Sequence, residues 1–159
     1  MASETELYLN RAQDEFLLAK KDMELSMDDS IKQRLGIPAD KTFFYSVISH
    51  AYYSIFYSAK AYLFLKGIKI YPPSEHKKTY IQFKEFVKKG FIDKELLKIY
   101  ENELIKADDM LKILKTEKNK RGKFTYNIKS EANMPYAKES IENSRRFISF
   151  IKLIIESKK

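Results

Sequence analysis

TFFYSVISHAYYSIFYSAKAYLFLKG, Thr42 to Gly67, decides the fold of this chain. Its apolar residues do not alternate, as one face of a strand would. They surround the axis nearly all round, which marks a central helix buried on several sides. Thr42 is placed to cap it, and Gly67 is placed to end it. Ala51, Ser54, Ser58 and Ala61 step along it at intervals of three and four, a spacing that lets a neighbouring helix come close. The aromatic residues on either flank then fill the surrounding core.

Working outward, the upstream chain predicts one more helix. Ser3 can cap it, with Glu4 and Glu6 near its positive end. Leu7, Leu9, Ala12, Phe16, Ala19, Met23 and Met27 recur at helical spacing to about Asp28. Asp29 to Lys41, with Gly36 and Pro38, reads as a connection. Downstream, Pro72 and Pro73 forbid helix continuation, and Ser74 can cap a third helix. That helix uses Tyr80, Ile81, Phe83, Phe86 and Val87 and stops at Gly90. A fourth starts near Asp93, carries Leu96, Leu97, Tyr100, Leu104, Ala107, Leu111 and Leu114, and is bent or broken near Gly122. Asn127 to Pro135 reads as a loop. A last helix sets Ala137, Ile141, Ile148, Ile151 and Ile155 on one face. Gly and Pro number four each, sparse punctuation that favours a few long helices. The expectation is all-α: an up-down helical bundle of four to five helices forming one domain over residues 1–159.

Composition excludes several classes. There is no cysteine, so disulfides and thiolate metal sites cannot form. MASETELYLNRAQDEF is acidic and lacks the apolar stretch of a signal peptide. No run approaches the roughly 20 apolar residues of a membrane helix. The expectation is a cytoplasmic protein with no membrane contact. There is no Glu-x-x-His of a di-iron bundle, no Gly-rich phosphate loop and no Gly-x-Ser-x-Gly. No metal site and no cofactor is expected. Asp108-Asp109 reads as a surface ion-pair partner.

The net charge is +8 and uneven. Residues 1–40 hold five Lys/Arg against nine Asp/Glu, a net of −4, which leaves +12 for the rest. From Lys112 to Lys129 the bases Lys112, Lys115, Lys118, Lys120, Arg121, Lys123 and Lys129 face only Glu117, a net of +6. Phe124 and Tyr126 are interleaved. Lys and Arg attract phosphates, and aromatic faces stack on unpaired bases. Arg121 alone in this run offers a planar fork for bidentate phosphate binding. The bland alternative is a solvated helix end whose cations complement the helix dipole.

Three segments in order resemble the HEPN family, in its bacterial and archaeal single-domain branch with HepT-like toxins. They are AYYSIFYSAKAYLFLKGI (Ala51 to Ile68), SEHKKTYIQFKEFVKKGFID, and RGKFTYN followed by YAKESIENSRRFI. The resemblance runs from Thr42 to the C-terminus. It implies a HEPN-like bundle that forms a homodimer. It further implies a metal-independent endoribonuclease, a toxin–antitoxin component paired with a nucleotidyltransferase. The family's working motif is an Arg followed after four to six residues by a His, paired across a dimer cleft.

Here Arg121 is followed, after four residues, by Tyr126 and Asn127. Arg121 can offset phosphorane charge, but Tyr126, with an ordinary pKa of about 10, is a poor base. Asn127 hydrogen-bonds without shuttling protons. This departure leaves cleavage open, while phosphate binding needs only Arg121 and its neighbours. The candidate catalytic residues are thus Arg121 and Tyr126, and the phosphate- or RNA-binding residues are Lys118, Lys120, Arg121, Lys123, Phe124 and Asn127. His50 reads as a core or interface residue and His76 as a local structural one. Tyr126 is also placed to accept AMP from a nucleotidyltransferase. The leading expectation is a dimeric RNA- or nucleotide-binding module. The alternative is a non-catalytic dimeric protein-interaction module. A DNA-binding role ranks last, since no helix-turn-helix spacing is evident.

Overall fold

In a computed structural model, backbone is described for residues 2–119 and 126–158, and side chains for 2–109 and 134–158. Among the described residues there are six helices: α1 (Glu4–Met27), α2 (Asp29–Arg34), α3 (Phe44–Leu65), α4 (Glu75–Lys88), α5 (Lys94–Asn119) and α6 (Tyr126–Ser157). No strand occurs among them. The all-α expectation holds, with α2 as an addition. The supposed connection after Met27 turns helical because the Asp28 side chain accepts the Ile31 N–H at 3.1 Å and caps a new turn.

α1 begins as expected. Ser3 accepts the Glu6 N–H and Glu6 returns the bond to the Ser3 N–H, a reciprocal capping box. The start of α3 departs from expectation. Phe43, not Thr42, is its N-cap and offers no side-chain acceptor. The Phe43 N–H instead donates to Ser26 Oγ on α1 at 2.7 Å, while Ser26 Oγ–H donates to the Asp22 carbonyl. A tertiary contact therefore does the work assigned to a local cap. Gly67 closes α3 at φ 79°, a left-handed value that costs a residue with a Cβ about 1 kcal/mol or more. Ser74 stands before α4 but makes no side-chain capping bond.

α3 is the hub. It packs most extensively on α1 and next on α6. The small residues are where close approach occurs. Ala51, Ser54, Ser58 and Ala61 are fully buried, as are Ala12 and Ala19 on α1 and Ala137 on α6. Ala19, Ala51 and Ala137 belong to one cluster with Phe44, Val47 and Ile48. Ser54 and Ser58 satisfy their hydroxyls on carbonyls of α3 itself, so neither leaves an unpaired donor in the core.

A second cluster ties four helices together. Tyr62 of α3, Phe83 of α4, Tyr100 of α5 and Phe147 of α6 are all essentially inaccessible. The Phe83 ring lies 5.4 Å from Phe147, 5.6 Å from Tyr100 and 6.3 Å from Tyr62. These tilted and edge-on separations are favourable for aromatic pairs. Contacts set the directions. Tyr8–Phe64, Arg11–Tyr57 and Glu15–His50 make α1 antiparallel to α3. Tyr52–His76 and Tyr62–Phe86 make α4 run with α3, the connection 66–74 leading the chain back.

α6 overturns the expected loop from Asn127 to Pro135. The helix starts at Tyr126 and contains Pro135. Pro135 removes one backbone bond and is exposed, while Met134 and Ala137 beside it pack on the α1–α3 cluster. Burial on both sides of the proline offsets the lost bond. Further along, Ala137, Ile148, Ile151 and Ile155 form the expected buried face, with Ile141 packed at its edge.

Candidate functional site

The residues singled out around Arg121 divide as follows. Lys118 belongs to α5, and Tyr126 and Asn127 open α6, with side chains outside the described residues. Lys120, Arg121, Lys123 and Phe124 lie wholly outside them. What the structure does describe is the ground on either side, and it separates the two histidines.

His50 lies on the α1-facing side of α3. Its Nδ1 pairs with Glu15 Oε2 at 2.5 Å, and its Nε2 faces Asp22 Oδ2 at 3.7 Å. Glu15 is only 4% exposed and also receives Arg11 Nη2 at 2.9 Å. Asp22 accepts from Ser46. A carboxylate this deep needs such partners, since burying an unpaired charge costs several kcal/mol. Both ring nitrogens of His50 are thus turned to α1 carboxylates. It joins two helices, α1 and α3.

His76 is set differently. It stands in the first turn of α4 and is exposed. Its Nδ1 is hydrogen-bonded to Tyr52 Oη at 2.9 Å. Its ring lies on Phe56 with centroids 4.0 Å apart and planes at 19°. Tyr53 meets it edge-on at 5.5 Å. Burial of the ring lowers the His76 pKa below 6.5, and the Lys60 ammonium pushes the same way, against Glu75 and Asp108. Tyr52 is itself buried, and burial, with Asp108 and Tyr53, raises its pKa well above that of an ordinary phenol. The pair therefore stays a neutral imidazole on a neutral phenol at neutral pH.

Around this pair the sequence assembles a mixed rim. Lys60 is almost buried and pairs with Glu75 Oε1 at 3.2 Å. Its ammonium also sits 4.6 Å from the Tyr8 ring centroid and 5.6 Å from that of Phe56. A cleft of about 90 Å³ opens beyond it, lined by Tyr8, Phe64, Ile70 and Tyr71 among others. That volume suits a few waters or one small anion, not a nucleotide. On the other side Tyr53 is 36% exposed, and the Arg11 guanidinium lies 5.5 Å over the Tyr57 ring.

The Tyr52–His76 bond joins residues 24 apart, and neither periodicity nor capping could reveal it. Both ends lay inside segments already noted, the Ala-Tyr-Tyr run and the Ser-Glu-His start. The structure adds that the two segments meet. Asp108 of α5 acts on both Tyr52 and His76, so this carboxylate lies near the cluster.

No group of three His, Asp or Glu side chains among the described residues is arranged to hold a metal ion. No described helix is long and apolar enough to cross a membrane. A family model described as HEPN domain matches residues 38–155. No curated protein and no solved structure matches the chain.

Proposed function

The chain belongs to the HEPN domain family, and from that premise we propose that it binds RNA or a nucleotide through the basic segment around Arg121. The observation that carries this reading is the extent of the family match, residues 38–155, which takes in α3, α4 and the whole run of net charge +6. Lys118, Lys120, Arg121 and Lys123 contact phosphates, Arg121 through its bidentate fork, while Phe124 and Tyr126 stack on unpaired bases and Asn127 hydrogen-bonds. The protein works as a homodimer in the cytoplasm. It is a toxin–antitoxin component paired with a nucleotidyltransferase.

The test uses labelled single-stranded RNA in excess EDTA, with wild-type protein, Arg121→Ala and Lys98→Ala. Lys98 is a fair control because it is exposed and, among the described residues, pairs with Glu95 alone. Binding that Arg121→Ala weakens at least about tenfold, the loss of one strong charge-assisted contact, and that Lys98→Ala leaves unchanged, supports the reading. Equal binding by all three refutes it.

A second reading, docking to a protein, has its own observation. Phe150 and Leu153 are exposed at 50% and 63% on α6, three residues apart on one side. Protein capture that Phe150→Ser abolishes and that short RNA does not compete would favour it.

A further inference from the structure

α3 and α4 run the same way and stop at the same end of the bundle, where Tyr62 meets Phe86 edge-on at 5.6 Å. Each is followed by a left-handed glycine, Gly67 at φ 79° and Gly90 at φ 82°. No other part of the described chain comes within 4 Å of where a Cβ would stand on either glycine, so both turns project. α5 leads away from this end, since Tyr80 of α4 bonds Glu101 while Asp108, further along α5, acts on His76.

This pole is basic and carries aromatic tips. Residues 66–91 hold seven Lys, no Arg and two Glu, a net of +5. Both carboxylates are engaged elsewhere, Glu75 by Lys60 and Glu85 by Lys88. Lys66 lies over the Tyr62 ring, Lys69 over Phe64 and Lys89 over Phe86, at 5.7, 5.8 and 5.8 Å from the centroids, so rings hold these three ammonium groups at the pole. Phe91 packs on Phe86 at 6.1 Å yet stays 63% exposed. Tyr71, fixed by the Lys78 ammonium donating to its carbonyl at 3.0 Å, is 64% exposed. Cations at helix C-termini complement the dipole, which accounts for Lys66 and Lys89. It does not account for two aromatic rings left in water beside them.

From this pole we infer that the protein docks peripherally on an anionic phospholipid bilayer. Phe91 and Tyr71 enter the interfacial layer, where aromatic rings are favoured, and Lys66, Lys69 and Lys89 face lipid phosphates. Docking on a bilayer surface needs no spanning helix, and no described helix is one. The expectation of no membrane contact rested on the lack of a long apolar run, which bears on spanning alone. Lysine is a compact point charge, well matched to a diffuse anionic surface. Bidentate recognition of single RNA phosphates and bases favours the arginine fork, which this stretch lacks. Anionic lipids enrich the cytoplasmic leaflet, so the inference keeps the protein on that side. It stands apart from the RNA reading, because α5 carries the chain toward Arg121 from the opposite direction.

The test sediments full-length protein with vesicles of phosphatidylcholine alone or of phosphatidylcholine with phosphatidylserine. The chain has no tryptophan, so Phe91→Trp places a single indole at the tip. The expected result is binding to the serine-containing vesicles only, with a blue shift of the Phe91→Trp emission on them. Each lysine at an anionic surface is worth about fivefold, so Lys66→Glu/Lys69→Glu/Lys89→Glu should weaken binding at least about 100-fold. Phe91→Ser should weaken it at least about tenfold. Wild type that stays in the supernatant with serine-containing vesicles overturns the inference, as does an indole emission that does not shift on them. Neither readout depends on the charge-reversed variant folding. Vesicle binding that Lys118→Glu/Lys120→Glu/Lys123→Glu abolishes and the pole variants leave intact overturns it too, in favour of general attraction to the Arg121 segment. Pole variants that lose RNA retention but keep vesicle binding reassign the pole to nucleic acid and overturn it as well. RNA retention by wild type is scored separately, so failure of the RNA reading and failure of this one are distinguishable.

Discussion

Replacing Phe83 by alanine removes the ring on which α3, α4, α5 and α6 converge. Phe83 is fully buried against Tyr62, Tyr100 and Phe147. Returning such a side chain to water costs roughly 1.5–3 kcal/mol. The cavity left among rings that cannot all collapse brings the expected loss to about 3–5 kcal/mol. Against a typical net stability of about 5–15 kcal/mol, that is a large share. α4 is the helix most at risk, because only Thr79, Phe83 and Val87 of its residues are buried. At roughly 2–4 °C per kcal/mol for a domain of this size, Tm falls by about 6–20 °C. Urea unfolding followed by circular dichroism gives the free energy, and amide hydrogen exchange shows whether α4 loses protection first. A loss under about 1 kcal/mol, well below the range for core Phe→Ala changes, would refute the claim that this aromatic node joins the four helices.

Three further outcomes follow from other contacts. Ser26→Ala removes the acceptor of the Phe43 N–H and should cost about 1–2 kcal/mol in urea unfolding, whereas Thr42→Ala should cost under about 0.5 kcal/mol. Glu15→Ala leaves His50 and Arg11 facing an emptied site and should cost about 2–4 kcal/mol, with His50→Ala in the Glu15→Ala background adding less than it does alone. Because burial lowers the His76 pKa, the unfolded chain takes up this proton first as pH falls. The associated stability is therefore present above pH 6.5 and lost below it, so wild type should lose more stability than His76→Gln between pH 7.5 and 5; equal losses in the two proteins would contradict the assignment.

Local pattern carried the helical class. The all-round apolar α3, the Ser3–Glu6 box, the Gly67 terminus and the isoleucine face of α6 each depend on residues within a turn or two of one another, so spacing alone reveals them. The same local logic failed at Asn127 to Pro135, where packing of Met134 and Ala137 outweighs the proline, and at Thr42, displaced by a hydroxyl from another helix. Charge counting also located the Arg121 segment, since a run of like charge is a property of consecutive residues.

What tertiary structure alone decided is which side chains are already spoken for. Two histidines look alike in a sequence. Folding places one against two carboxylates from α1, across 35 and 28 positions, and stands the other on a buried phenol 24 positions away. A pairing across such separations has no periodic signature, because each partner's position is set by how three or four helices pack and not by its own neighbours. The sequence by itself thus determined that α3 must be central and that the chain carries concentrated positive charge near Arg121. The packing around α3 determined that His50 is structural and that His76 is held with one nitrogen unengaged by the described protein.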